Sequence, residues 1–366
     1  PDPHPEPLYS KDQIIAFTIG DHRECFGDTY ANFGSRRIPR LPNGYLRFID
    51  RIMDIQPSAN NGWEGYMLNS EFDLPSQSWY RDDQFSAIPA IAIMELALQP
   101  CGFLSAYLGS IKDRGNQDLY FRNLDGEGTL LHWPEKLEGK ILNHVELLSS
   151  SSLGEVIIQN YSFKLSWGGN PFYEGTSSFG YFSLPMLENQ SGLDGNQIQS
   201  KWVDDNPRAG EWIDTNPQHT VPIQENDPHL PQINRLWIAK SGGLHEQGYI
   251  YVKQSIPVQT WFYKAHFYQD PVMPGSLGVE TIIQALITGL SKWGLPENVP
   301  WRIAQGQTTN WKYRGQIIPG VEELSMELHL KHINAVDQGW QVIADCHLWK
   351  GPLRIYQIEN LALETY

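Results

Sequence analysis

His266-Phe267-Tyr268-Gln269-Asp270-Pro271-Val272-Met273-Pro274-Gly275-Ser276-Leu277-Gly278-Val279-Glu280, running on into the apolar segment Thr281 to Leu290, is the stretch from which the rest of the chain can be read. A Pro-Gly pair followed by a long apolar run marks a turn that opens a buried helix, with Gly275 at its N-terminus. Such a helix accepts almost no charge. Yet Glu280 lies inside it, and His266 stands fourteen residues upstream on the preceding strand or loop. An ionised carboxylate in apolar surroundings costs several kcal/mol unless paired, and partial neutralisation raises its pKa toward that of a working acid. A buried carboxyl near an imidazole is equipment for proton transfer.

An earlier segment has the same build. Ile88-Pro89-Ala90-Ile91-Ala92-Ile93-Met94-Glu95-Leu96-Ala97-Leu98-Gln99-Pro100, continuing to Leu108, reads as another buried helix, which Pro100 is expected to kink. In each copy a proline stands six residues before the carboxylate (Pro89, Pro274) and a glutamine four after it (Gln99, Gln284). The order of flanking features repeats as well: Leu41-Pro42 and Leu230-Pro231, Glu64 to Leu68 and Gln247 to Val252, Trp79 and Trp261. Strand candidates follow the first helix at Thr129–Trp133, Lys140–Ser149, Glu155–Ser166 and Asn170–Phe182. Others follow the second at Arg302–Tyr313, Glu322–Ile333, Gly339–Lys350 and Leu353–Leu363. The expected class is α+β, with two antiparallel sheets side by side, each wrapped around its own long helix. Residues 1–40 form a lead-in segment packed on the first unit, 41–184 the first unit, 185–228 a polar surface linker, and 229–366 the second unit.

Composition narrows the function. A chain of 366 residues suits two related units, and its start at Pro1 points to a segment of a longer polypeptide. The formal charge of −15 argues against nucleic acid or an anionic membrane as partner, because both need a basic footprint. No apolar run reads as long enough to cross a bilayer and no secretory leader is visible, so a cytoplasmic protein is expected. Cys25, Cys101 and Cys346 make neither a disulfide framework nor a zinc knuckle, and Cys101 reads as inert core. His132, His144, His329, His332 and His347 show no metal-ligand spacing with Cys, Asp or Glu and are read as structural, and no metal is expected. His245-Glu246 is a lone dipeptide in a turn, with no role assigned. Thirteen tryptophans suit a thick sheet core or an acyl-lined tunnel.

The run His266 to Glu280, the aromatics Trp261-Phe262-Tyr263 before it and the segment Gly306 to Pro319 after it resemble the active-site region of the bacterial β-hydroxydecanoyl-acyl-carrier-protein dehydratases. That resemblance implies a double hot-dog fold. The dehydratase/isomerase branch of the family has Asp where this chain has Glu280, and the dehydratase-only branch has Glu, so the resemblance leaves 2,3 double-bond isomerisation open. The tandem arrangement, together with the Phe121 to Gly128 run, resembles the dehydratase didomains of polyunsaturated fatty acid synthases and related megasynthases. It implies dehydration of (3R)-hydroxyacyl thioesters to trans-2-enoyl thioesters. The substrate would ride on the phosphopantetheine of an acyl carrier protein, with no bound cofactor and with carrier and neighbouring megasynthase domains as partners. Homodimerisation is left open.

The copies differ in one respect that bears on mechanism. Counting back fourteen residues from Glu95 gives Arg81, and aligning on the tryptophans gives Gln84; no histidine stands between His22 and His132. In the single-domain relatives each site takes its histidine from one protomer and its carboxylate from the other, which implies the pair His266 and Glu95 here and a second site, where Glu280 faces Arg81 or Gln84, without a base. Glu280 as the acid is the alternative. Gly275 at the helix N-terminus is the candidate oxyanion donor, through its backbone N–H. Gln99 and Gln284 are supporting residues, and the resemblance implies that a carbonyl near Val272 orients the imidazole. Lys312 and Arg314 are candidates for docking the carrier, or else an ordinary strand face. Two other functions share these features: a hot-dog thioesterase, and a catalytically inactive acyl-binding or structural module.

Overall fold

A computed structural model describes residues 6–33, 36–59, 62–80, 87–114, 117–134, 138–215, 228–230, 232–295, 299–337 and 339–366. In the N-terminal half β1 (Arg51–Gln56) and β2 (Met67–Leu74) precede a long helix, Ala90–Tyr107, the first core helix. β3 (Leu119–Leu130), β4 (Gly139–Leu153), β5 (Val156–Trp167) and β6 (Asn170–Ser183) follow it. The C-terminal half repeats the plan. β7 (Glu211–Asp214), β8 (Arg235–Ala239) and β9 (Tyr249–Ser255) lead to the second core helix, Gly275–Lys292. Then come β10 (Trp301–Ile303), β11 (Thr308–Tyr313), β12 (Glu323–Val336), β13 (Gly339–Lys350) and β14 (Leu353–Thr365).

Strand order makes the repeat explicit. One antiparallel sheet runs β1-β2-β4-β5-β6-β3-β11-β14-β13-β12-β9-β8-β7, with β10 pairing β14 to one side. From the seam between β3 and β11 outward, the halves read the same apart from the additional strands β7 and β10 of the second, so the two expected sheets are fused into one with a pseudo-two-fold at the seam. Alternation along the strands follows from this: β5 buries every second residue against the first core helix, in keeping with the two-residue period of a half-buried strand. The architecture is the α+β double hot-dog that the tandem pattern implies.

β3 is where the strand reading fell short. Its sequence Phe121-Arg122-Asn123-Leu124-Asp125-Gly126-Glu127-Gly128 lacks apolar alternation, and only Thr129 onward reads as a strand. It forms because it is the inner seam strand, paired to β6 on one side and β11 on the other, so its backbone groups are satisfied on both edges. Its glycines answer to neighbours across the ladder: a Cβ at Gly126 would enter the Trp311 indole, and one at Gly128 the Tyr173 phenol. The seam is further tied by Trp311 Nε1 donating to Asn123 Oδ1 at 2.8 Å and by the Arg314–Asp125 ion pair at 2.9 Å.

The first core helix is, by length and composition, apolar enough to cross a membrane, against the sequence reading that no run was. Here it is core: Ile91, Ile93, Ala97, Cys101, Phe103 and Leu104 are fully buried beneath the sheet. It continues through Pro100 as one helix. Proline has no N–H, so the carbonyl of Leu96 loses its helical donor. Asn143 on β4 supplies a replacement, its Nδ2 donating to Leu96 O at 2.9 Å and to Ala97 O at 3.0 Å.

The segment read as a polar surface linker has described residues built into the C-terminal half. β7 adds an edge strand beside β8, Arg354 pairs with Asp194, and Trp202 packs against Tyr249 with the rings tilted and their centroids 4.8 Å apart. Its polar composition conceals these anchors because each is a single residue. Beneath Trp202, the outer face of β12 and β13 is buried, although it carries Glu327, His329 and His347. These three bring one ligand atom each to within 4.8 Å of one another, a proximity that strand period and register create and that linear spacing does not show. Glu327 is already taken up by hydrogen bonds from Trp202 N, Tyr249 Oη and Trp349 Nε1, at 2.7 to 2.8 Å, which makes the cluster a polar strut. His245 pairs with Asp345 at 2.8 Å on the same half.

Asn143→Leu should lower stability by about 1–3 kcal/mol, the range for stranding a buried acceptor. Replacing Pro100 by Ala restores the helical donor to Leu96, so the same change in that background should cost less. Urea midpoints of the four proteins of this double-mutant cycle test the account, and equal costs in both backgrounds would refute it.

Candidate active site

The two core helices lie against each other near their N-termini, and each sends its glutamate to the other. Glu95 Oε1 accepts from Ser276 Oγ, and Glu280 Oε2 accepts from the Ile91 backbone N–H at 3.3 Å. Ser276 and Ile91 are equivalent positions, each two residues past the proline that opens its helix. Gln99 Nε2 holds Glu95 Oε2 at 2.8 Å, and Gln284 Nε2 holds Glu280 Oε1 at 2.8 Å. Burial pushes both carboxyls above the usual carboxylate range, and those hydrogen bonds offset only part of the effect. Gln99 is itself fixed, donating to Leu46 O at 2.6 Å and accepting from Phe48 N at 2.8 Å.

The pseudo-symmetry ends at the cavities. One is lined by Glu95, Gln99, Ser276 and Gly275 together with His266 and Val272. The other is lined by Glu280, Gln284, Pro89 and Ala90 together with Arg302, Trp301 and Tyr366, and the described residues around it include no histidine. Arg81 and Gln84, the residues expected opposite Glu280, lie outside the described residues. The structure therefore brings His266 together with the carboxyl of the other half and separates it from Glu280.

His266 ends a short helical turn, Trp261–Ala265, and stands just before the loop that opens the second core helix. Its Nδ1 lies 3.0 Å from Val272 O, and Val272 N donates back to His266 O at 3.0 Å. A carbonyl accepts only, so Nδ1 carries the proton and Nε2 presents a lone pair. Burial depresses the imidazole to a pKa of about 4; the Val272 carbonyl opposes this, and Arg122 reinforces it. The ring is neutral at neutral pH.

Asp270 anchors this loop. Arg122 of β3 grips it bidentately at 2.7 Å on each oxygen, and Arg37 of the lead-in segment adds a third contact at 3.1 Å. Burial alone would raise the Asp270 carboxyl, but Arg122 first, then Arg37 and His266, hold it below its ordinary value. The Phe121 to Gly128 run thus acts through Arg122, and the lead-in segment contacts the second half as well as the first, Arg37 also donating to the Gln269 carbonyl; beside it, Asn43 N of the first unit donates to Ala265 O at 2.8 Å.

Gly275 begins the second core helix, and the first N–H groups of a helix have no intrahelical acceptor. A side chain is excluded there, since a Cβ would stand 2.6 Å from the Tyr313 ring. Further along, the cavity wall is apolar: Leu98, Gly102 and Ala106 on the first core helix, and Phe121, Phe179 and Tyr181 on the sheet. From Glu95 to Ala106 the helix rises about 16 Å, so the space is a slot along the helix. Lys312 and Arg314 do not line it; Arg314 is engaged with Asp125, and Lys312 is exposed. Sequence reasoning missed Ser276, Arg122 and the paired rings Tyr313 and Tyr356, whose centroids are 4.4 Å apart. Trp311 and Tyr313 alternate along β11 and are both buried, a period-two signal that points to an inward face but not to a cavity wall.

Fold and cavity define a class: a double hot-dog protein with one imidazole–carboxyl cavity shared between its halves. Residues 226–359, within the C-terminal half, match the FabA-like domain. Over 380 residues the chain is 29% identical to one of the subunits of a polyunsaturated fatty acid synthase from Thraustochytrium sp., an alignment covering 95% of this chain and 25% of that protein. The chain thus spans about a quarter of the length of this relative. Among solved structures it is similar to an isomerase-inactive variant of GphF DH1, with a TM-score of 0.45 and 11% identity over 87% of this chain and 96% of that one. It is also similar to the bifunctional dehydratase-cyclase domain of ambruticin biosynthesis, with a TM-score of 0.41 and 12% identity over 86% and 95% of the chains.

The state of the imidazole can be tested without substrate. In an NMR titration the ring signals of His266 should move with a midpoint near pH 4 and stay flat through the ordinary histidine range around 6.5. A midpoint near 6.5 would mean that the ring is solvated and not enclosed.

Proposed function

We propose that the chain dehydrates (3R)-hydroxyacyl thioesters, delivered on the phosphopantetheine of an acyl carrier protein within a larger synthase, to trans-2-enoyl thioesters. The observation that carries this reading is the single cavity bearing both His266 and Glu95. Neutral His266 takes the C2 proton on Nε2, and its Nδ1–H stays on Val272 O, which stabilises the imidazolium as it forms. Charge moves onto the thioester oxygen, where the Gly275 N–H at the positive end of the helix receives it. Glu95, kept protonated by its burial, gives its proton to the C3 hydroxyl, which leaves as water. The acyl tail lies along the slot toward Ala106.

The FabA-like match and the synthase relative support the reaction type, and the carrier follows from the kind of protein that relative is. Turnover of a 3-hydroxyacyl-N-acetylcysteamine, followed by enoyl absorbance and free thiol, tests it. His266→Ala and Glu95→Gln should each lower kcat by about 10²–10⁴, as for a lost general base or acid. Glu280→Gln should keep most of the activity, because its cavity holds no imidazole among the described residues. A dead Glu280→Gln beside an active Glu95→Gln would reverse the assignment, and free thiol without enoyl would mean hydrolysis.

Ala106→Leu narrows the slot at its far end. It should shift the ratio of kcat/KM toward shorter acyl chains and leave short-chain kcat near wild type. An unchanged chain-length profile would place the tail elsewhere.

A further inference from the structure

One group in the cavity is left over. Tyr313 is buried, and its hydroxyl finds no hydrogen-bond partner among the described residues. A buried hydroxyl without a partner is uncommon and calls for an explanation, since phenylalanine would supply the same ring without the desolvation cost. Tyr263 also has an unpartnered hydroxyl, but it does not line this cavity, whereas Tyr313 does. Position sharpens the point. The Tyr313 ring edge closes over Gly275, and Oη stands 3.2 Å from where a Cβ on that glycine would be. In a helix the Cα–Cβ bond tilts toward the N-terminus, the direction in which the free N–H groups also point. Oη and the Gly275 N–H therefore open onto the same side of the helix end. Gly275 and Tyr313 form a matched pair, the missing side chain making room for the phenol.

We propose that Tyr313 is a catalytic hydrogen-bond donor: its hydroxyl binds the thioester carbonyl oxygen beside the Gly275 N–H, so that the developing enolate is held by a phenol and an amide together. The proposal rests on the dehydratase reading and adds a residue to it. The proton balance is unchanged: the C2 proton goes to His266, the C3–O bond breaks with a proton from Glu95, and Tyr313 keeps its proton throughout. Burial disfavours the phenolate, which suits a group that donates and is never consumed. A donor at this position strengthens as charge gathers on the oxygen, so it acts on the transition state more than on the bound substrate.

Tyr313→Phe keeps the ring over Gly275 and removes only the hydroxyl. With a 3-hydroxyacyl-N-acetylcysteamine, kcat should fall roughly 100-fold, as for one lost oxyanion donor. KM should stay within about 3-fold of wild type, since ground-state binding is little touched. The isotope effect on kcat with 2-deuterated substrate should rise, because C2 proton removal becomes the slower step. Circular dichroism and the thermal midpoint should be unchanged or improved. A Tyr313→Phe enzyme with wild-type kcat overturns the proposal, as does a loss carried by KM, or a fall in the isotope effect, which would place the hydroxyl at C3. Wild type that turns over no substrate refutes the dehydratase reading and this proposal with it. Wild type that turns over beside an unaffected variant refutes this proposal alone.

Discussion

Everything about the site depends on the exchange of buried carboxyls between the two core helices. Glu95 is held at the start of the second helix and Glu280 at the start of the first, through contacts at equivalent positions. Neither helix could carry its glutamate into an apolar core alone, because an unpaired carboxylate there is too costly. Crossing them over places each acid at the positive end of the neighbouring helix, which offsets part of the cost of its burial, while the burial itself holds both carboxyls above the usual carboxylate range. The sheet then has to bring the helices side by side, which the seam between β3 and β11 does.

On this symmetrical base lies an asymmetrical loop. His266 is positioned by a Val272 carbonyl close to it in sequence, but the loop that carries both is clamped from the other half by Arg122 and from the lead-in segment by Arg37. Two cations on one buried aspartate are tolerated because Asp270 is itself charged, and the nearest of them helps keep the imidazole neutral. The carboxyl comes from one half, the imidazole from the other, and the clamp on the imidazole's loop from both.

Much of this was legible in the sequence for a physical reason. A carboxylate inside an apolar helix is expensive, so its recurrence with a proline before it and a glutamine after it signals a function and a duplication at once, and Glu95, Glu280, Gln99 and Gln284 could all be found that way. The absence of a histidine between His22 and His132 likewise showed that the copies had diverged. What stayed hidden depends on contacts across the fold. β3 is a strand because of its two neighbours and not its residues, Arg122 matters because of Asp270, and Glu327, His329 and His347 meet only through strand register. Tyr313 was hidden for the plainest reason: an inward aromatic on a strand is nearly always packing.

The fused seam also has a genetic meaning. In a symmetric dimer of identical chains every substitution appears at both sites, so neither can be altered alone. A covalent repeat held in one continuous sheet breaks that coupling: the two halves keep the same exchanged carboxyls, while the residues around each cavity are free to differ. The Glu280 cavity, with no histidine among the described residues around it, has Arg302 and Tyr366 in its wall instead.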